Sequence, residues 1–240
     1  MQVIIPMAGF GKRLRPQTFA RPKPLVNVAG KPVLGHVLDS LAGLDISQLL
    51  CITGYLGDQI EAYVKINYDI PTRFYEQKVL TGQSPAVYLC KDDVSGPALL
   101  VFVDTLIQAD LQQLKTETAD VVAFVKEVED PSRFGVAEAG PDGWVSRLVE
   151  KPDGTKHGNL AVVGFYYIRE AADLMDAIET QLAEGIQTKG EYYLADAFNI
   201  MIRNGSKMRA EEVEVWEDCG KPETVLRTNR FLLDHGHDNG

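Results

Sequence analysis

The sequence predicts an α/β fold: a mixed, mostly parallel central sheet flanked by helices, with a smaller β-rich part. Three observations lead there. Apolar runs alternate with stretches of helical periodicity through the first half, the pattern of βαβ units. The second half is denser in short apolar runs separated by turn residues. The chain has 240 residues, 45% hydrophobic and 24% charged, enough to bury one large core.

The elements follow in order. Strands are predicted over residues 3–5, 49–53, 73–75 and 99–103. Between them, residues 33–41, 58–65 and 84–89 place apolar side chains three and four apart, as an amphipathic helix does. Residues 121–125, 136–138, 145–149 and 160–168 read as strands, with Pro141-Asp142-Gly143 as a turn. Helices follow over 171–183 and 192–202, the second stopped by Asn204-Gly205. Residues 212–216 alternate charged and apolar side chains like a strand, and lead into Asp218-Cys219-Gly220-Lys221-Pro222. Pro222 suits a first helical turn, so a closing helix is expected over 223–234 and a frayed polar tail over 235–240. There is no internal repeat and no linker rich in Pro, Gly or Ser. One continuous domain over 1–240 is the expectation.

Charge is distributed unevenly. The first 38 residues carry Lys12, Arg13, Arg15, Arg21, Lys23 and Lys31 but no acid, in a chain with 34 Asp and Glu and a net charge of −10. That balance excludes a general nucleic-acid binder and points to a small anion met locally. A short apolar strand runs into Met7-Ala8-Gly9-Phe10-Gly11-Lys12-Arg13-Leu14. Paired glycines let the backbone turn tightly and aim its N–H groups at a ligand, while Lys and Arg supply charge. This is the profile of a polyphosphate site; the plainer alternative is a strand-to-helix turn with solvated basic residues. No apolar run is long enough to span a bilayer, and the N-terminus lacks the order of a signal peptide. Cys51, Cys90 and Cys219 are scattered, forming neither a disulfide framework nor a metal-ligand spacing, so a reducing cytoplasm is expected.

Two common phosphate motifs fail here. Leu14 stands where a dinucleotide fingerprint needs its third glycine. Arg13 stands where a P-loop needs Ser or Thr. A longer pattern fits: Pro6-Met7-Ala8-Gly9-x-Gly11-x-Arg13-Leu14-Arg15-Pro16-x-Thr18, then Arg21-Pro22-Lys23-Pro24-Leu25, then Gly30-Lys31-Pro32. With Gln77, Gly82, Asp104, Phe134-Gly135-Val136, Val149-Glu150-Lys151-Pro152, Asn159, Gly164, Gly190-Glu191-Tyr192 and Trp216-x-Asp218-x-Gly220, this resembles the nucleotidyltransferases that activate sugar 1-phosphates. That family includes thymidylyl- and uridylyltransferases acting on glucose 1-phosphate.

The resemblance implies a Rossmann-like fold and attack by a sugar-1-phosphate oxygen on the α-phosphorus of a nucleoside triphosphate. It implies catalytic roles for Arg13 and Lys23, and nucleotide contacts from Ala8, Gly9, Gly11, Gln77, Gly82 and Asp104. Asp104 and Asp218 become Mg2+ ligands. Gly135, Glu150, Lys151, Asn159 and Gly164 become the sugar-phosphate side, with Glu191 and Tyr166 as further candidates. Residues 1–118 would mainly hold nucleotide, 119–221 mainly sugar, and 222–236 would close the domain. The partners implied are an NTP, dTTP or UTP favoured, and a sugar 1-phosphate, glucose 1-phosphate favoured, with no nucleic acid or membrane. A homo-oligomer is suggested.

Some relatives append a left-handed β-helix; no hexapeptide repeat occurs here, so none is expected. Val103 replaces the glycine usual before the metal-binding Asp, and Gln83-Ser84-Pro85 departs from the usual Thr-Ala, both beside the nucleotide. A guanylyltransferase acting on mannose 1-phosphate shares the Arg21–Leu25 motif and is the nearest alternative. A non-catalytic nucleotide sensor is the alternative of another class, and retention of Arg13, Lys23, Asp104 and Asp218 together argues against it.

Overall fold

A computed structural model describes residues 1–235, so the expected end of the closing helix at 236 and the tail beyond lie outside the described residues. The chain opens with β1 (Gln2–Pro6), a small hairpin of β2 (Asn27–Val28) and β3 (Lys31–Pro32), and α1 (Val33–Ser40). It continues through β4 (Gln48–Thr53), α2 (Gly57–Asn67), β5 (Thr72–Glu76), α3 (Gln83–Tyr88) and β6 (Ala98–Val101). Then come β7 (Thr105–Gln108), β8 (Val121–Glu127), β9 (Gly135–Ala139), β10 (Val145–Glu150) and β11 (Leu160–Ile168). Helices α4 (Ala171–Ala183) and α5 (Leu194–Arg203) precede β12 (Met208–Glu212), β13 (Val215–Asp218) and α6 (Pro222–Asp234).

A nine-stranded sheet runs β10-β9-β11-β6-β1-β4-β5, with β8 paired to β11 and β12 to β8. Strands β6, β1, β4 and β5 are parallel. Of these, β6, β1 and β4 are buried on both faces, which is why their sequences read as unbroken apolar runs, whereas the edge strand β5 is only half-buried. Val3, Ile5, Leu49 and Cys51 point to the layer that holds α1 and α2, while Ile4, Leu50 and Ile52 point to the layer that holds α3, α4 and α5. Strand β11 reverses direction: residues 165–168 pair antiparallel with β6, and Ala161 reaches β9. A third, small core of Val28, Ala29, Val33, Cys219 and Leu232 lies under α6. There Asn229 Oδ1 accepts the Ala29 N–H at 2.8 Å, tying α6 to the segment just after Lys23.

Two readings of the sequence need correction. The apolar run at 99–103 is not one strand: β6 ends at Val101, and Asp104 sits in the turn before β7. Residues 212–216 do not form one strand either. Pairing with β8 ends as the Val213 N–H reaches Val125 O (3.0 Å), and pairing with β7 begins as the Glu214 N–H reaches Gln108 O (3.2 Å). Alternation survives that change of partner, so the sequence pattern hides it. Among the described residues, no helix is long and apolar enough to cross a membrane.

Candidate active site

The phosphate loop leaves β1 at its C-terminal end, where ligands gather in parallel sheets. Gly11 adopts φ +60°, the left-handed region, and its carbonyl accepts the Leu14 N–H (2.9 Å) and the Thr18 hydroxyl (2.8 Å). A Cβ on Gly11 would stand 3.0 Å from both Lys23 Cβ and Thr18 Cγ2. Glycine is therefore required twice, for the turn and for the approach of Lys23. Gly9 differs: a Cβ there meets nothing within 4 Å and would project into open space at the loop's mouth. Gly54, which no motif marked, lets the loop lie against β4, since its Cβ would come within 2.8 Å of Ala8 O.

The ribbon of β7 and β13 brings two carboxylates together. Thr105 pairs with Asp218, and the Cys219 N–H donates to Asp104 O at 2.8 Å. Asp218 Oδ1 accepts the Gly220 N–H at 2.7 Å, and Asp104 Oδ2 receives the Lys23 ammonium. The groups converge over Gly220, where a Cβ would stand 2.8 Å from Asp218 Oδ1, 3.4 Å from Arg13 Nη2 and 3.5 Å from Asp104 Oδ2. Burial works to raise the Asp104 carboxyl, but Lys23 and, more distantly, Arg13 hold it below the usual carboxylate range. This donor set fits magnesium. Two hard carboxylates converge on a cradle that a methyl group would fill, and no cluster of three or more His, Cys, Asp or Glu competes among the described residues. Mg2+ is commonly held by one or two carboxylates and completes its shell with phosphate and water.

Asp104 also stands where two cavities meet. One of about 410 Å³ is lined by Ala8, Gly9, Lys23, Gln77, Gly82, Val103 and Glu191. The other, of about 540 Å³, is lined by Arg13, Gly135, Glu150, Lys151, Gly164, Tyr166 and Asp218. Both include Asp104, Phe102, Gln83, Lys151 and Tyr193. In the smaller cavity the Gln77 amide donates to Gly82 O at 3.2 Å. In the larger one, β-pairing places Gly135 opposite Glu150, and a Cβ on Gly135 would lie 3.3 Å from Glu150 Oε2. Burial pushes the Glu150 carboxyl above its usual range, and Lys151 offsets this only in part. Lys151 adopts φ +47° and donates to the Tyr193 hydroxyl at 2.6 Å. Burial acts to lower its pKa, yet Tyr193 and Glu150 raise it overall. A non-glycine residue in this region is strained, and such strain persists where surroundings fix a side chain for use. Gly164, at φ +78°, accepts the Phe102 N–H at 2.8 Å, and a Cβ there would stand 3.2 Å from the Phe102 side chain.

The structure thus gathers most of the candidate residues. Gly11 shapes the loop from behind without lining either cavity, and Arg13 faces the larger cavity rather than the smaller. Asn159 is not brought in: it lines a separate surface depression and donates to Glu127 Oε1 at 2.8 Å. Val103 is buried in the wall of the smaller cavity. Pro85 is accommodated in the first turn of α3, where its missing N–H would have no helical partner. Cys219 is a core residue whose thiol burial pushes up to about 12. Phe102, Tyr193 and Lys221 were not read from the sequence; they line the site only because separate strands and helices end there.

A family model described as nucleotidyl transferase matches residues 2–235. The bifunctional protein GlmU of Methanocaldococcus jannaschii is 34% identical over 98% of the chain, which spans only 55% of that relative. The UTP–glucose-1-phosphate uridylyltransferase AglF of Haloferax volcanii is 30% identical, with 93% of each chain covered. The solved structure of a UDP-glucose pyrophosphorylase complexed with UDP-glucose superposes with a TM-score of 0.82 at 20% identity, covering 98% of both chains. At that identity it shows the shared fold.

Proposed function

The chain belongs to the nucleotidyl transferase family, and from that premise we propose that it joins an NTP to a sugar 1-phosphate, releasing an NDP-sugar and pyrophosphate. UTP or dTTP and glucose 1-phosphate are the favoured substrates; the name and the 93% mutual coverage of AglF support UTP and glucose 1-phosphate. The observation that carries the proposal is the meeting of two cavities at Asp104, with Lys23 lining one and Asp218 the other. One cavity is lined by the glycine-rich loop, the other by Glu150 and Lys151. In this reading residues 1–118 supply most nucleotide contacts and 119–221 most sugar contacts.

Two polyanions must approach each other, so positioning and charge compensation dominate the chemistry. The open face at Gly9 admits the triphosphate, and Gln77 and Gly82 border the base. Lys23, rooted against Gly11, lies where the α-phosphate and the incoming phosphate meet. Lys151, braced by Tyr193, holds the sugar phosphate from the other side. Glu150 accepts hydrogen bonds from sugar hydroxyls, and Gly135 leaves room for the ring. Arg13 bridges the triphosphate toward the sugar cavity, where its planar fork suits phosphate oxygens. Asp104 and Asp218 would hold Mg2+, which when bound neutralises and orients the triphosphate oxygens.

The test is a matrix of NTPs against sugar 1-phosphates with Mg2+, read as pyrophosphate release. Turnover in one or a few combinations is expected. Nucleotide binding without turnover in any combination would overturn the enzymatic reading in favour of a sensor.

A further inference from the structure

We propose that Lys23 and the divalent cation exchange places at Asp104, so that cation binding itself frees the ammonium that the phosphates require. The inference rests on the proposed nucleotidyl transfer only for the kind of cation.

Asp104 and Asp218 are presented to the same space over Gly220. They are not equivalent. The Lys23 ammonium sits on Asp104 Oδ2, whereas Asp218 is oriented by the Gly220 N–H and has no ion pair among the described residues. The Asp104 oxygen turned toward Asp218 over Gly220 is Oδ2, the one that receives Lys23, so a cation using it with Asp218 competes with the ammonium. Lys23 can yield that face without moving its backbone. Its root is fixed by Pro22, Pro24 and contact with Gly11, while its long stem leaves Nζ free to swing. Charge favours the exchange only when the replacement is divalent: one ammonium faces two carboxylates, and a dication neutralises both. The released ammonium then lies at the edge of the smaller cavity, which Lys23 already lines. Two consequences follow by linkage. Lys23 competes with the metal and weakens its apparent binding, and the metal makes Lys23 available to anions.

The exchange is tested with Mn2+ alone, without nucleotide, on the full chain. Bound Mn2+ is measured by electron paramagnetic resonance for the wild type, Lys23→Met and Asp218→Asn. Lys23→Met should tighten Mn2+ binding at least about fivefold, the lower end of typical site-to-site coupling. Asp218→Asn should weaken it. Equal or weaker binding by Lys23→Met overturns the exchange, as does absence of binding in both wild type and Lys23→Met. Because Lys23→Met could fail to fold, the wild type supplies a second readout: acetylation of individual lysines, followed by peptide mass spectrometry. Reactivity of Lys23 should rise on adding Mn2+, while Lys31, paired with Asp39 away from this site, should not change. A Lys23 indifferent to Mn2+, or protected by it, overturns the exchange. Pyrophosphate release is a separate measurement: a chain that exchanged but never turned over would lose the catalytic reading and keep this one.

Discussion

The two walls of the site are built in opposite ways. The wall proposed to hold the phosphates is one contiguous loop, residues 8–25, whose shape depends on glycines, prolines and short turns. The wall proposed to hold the sugar is assembled from the ends of β9 and β10, the middle of β11 and the start of α5, and owes its geometry to strand register. Gly135 faces Glu150 because β9 and β10 pair there, and Lys151 reaches Tyr193 across 42 positions of sequence. Their electrostatics differ as well. At the junction Asp104 is held ionised by Lys23, whereas Glu150 is pushed by burial toward its neutral form. A wall coded in local backbone conformation should respond to mutation through the reacting phosphates. A wall coded in register should respond through sugar affinity.

The largest effect should come where the walls meet. Asp104→Asn should lower kcat by about 10²- to 10³-fold, the scale reached by removing a preorganised electrostatic group from a reacting centre. Far-UV circular dichroism should be unchanged, because the backbone carbonyl of Asp104 keeps its bond to the Cys219 N–H. A wild-type rate would remove Asp104 from the junction. On the sugar wall, Glu150→Gln should instead raise KM for the sugar 1-phosphate by roughly 10- to 100-fold, the cost of one weakened charged hydrogen bond or two, with a smaller change in kcat. If both variants lost only kcat, the division between the walls would fail.

The same contrast explains what the sequence revealed. Gly9, Gly11, Arg13 and Lys23 were legible because their spacing within one segment is the structure. The central strands were legible because double burial writes an apolar run. Strand β7 was not: four residues, pairing only with β13, carry no periodicity of their own. Missing it placed Asp104 at a strand end and hid how it meets Asp218. Tyr193 does not stand out from other helix residues in the sequence for a similar reason, since its contact with Lys151 is set by tertiary packing. Asn159 was the reverse case: a position matching the family pattern whose side chain the fold turns to Glu127.

A finer cut lies within the phosphate wall itself. Gly11→Ala forces a side chain into the left-handed region and against Lys23 Cβ at 3.0 Å, so a loss of about 1–2 kcal/mol is expected in chemical denaturation. Gly9→Ala meets nothing within 4 Å and should leave stability within about 0.5 kcal/mol of the wild type. Its effect should appear in NTP affinity, measured by isothermal titration. Equal stability losses in both would mean that Gly9 shapes the loop rather than clearing space for a ligand. On the far side of α6, Asn229→Ala removes the acceptor for the buried Ala29 N–H and should cost about 1–2 kcal/mol.

The smallest effect is a pH dependence that belongs to the sugar wall. The folded pKa of Glu150 is raised, chiefly by burial, so the folded state holds its proton to higher pH than the unfolded chain does. The neutral carboxyl therefore contributes relative stability that is fully present below the unfolded value and is lost as pH rises through the folded one. Glu150→Gln carries no such titration. Its melting temperature relative to the wild type should rise as pH increases through and above the ordinary carboxylate range, and then level off. Sugar binding should move oppositely in the wild type, because the ionised carboxylate is the better acceptor for sugar hydroxyls. That gain should be missing from Glu150→Gln, whose remaining pH dependence reports the phosphate of the substrate. A difference in melting temperature that stayed flat across this window would mean that Lys151 compensates the burial of Glu150 in full, and the two walls would then be electrostatically alike.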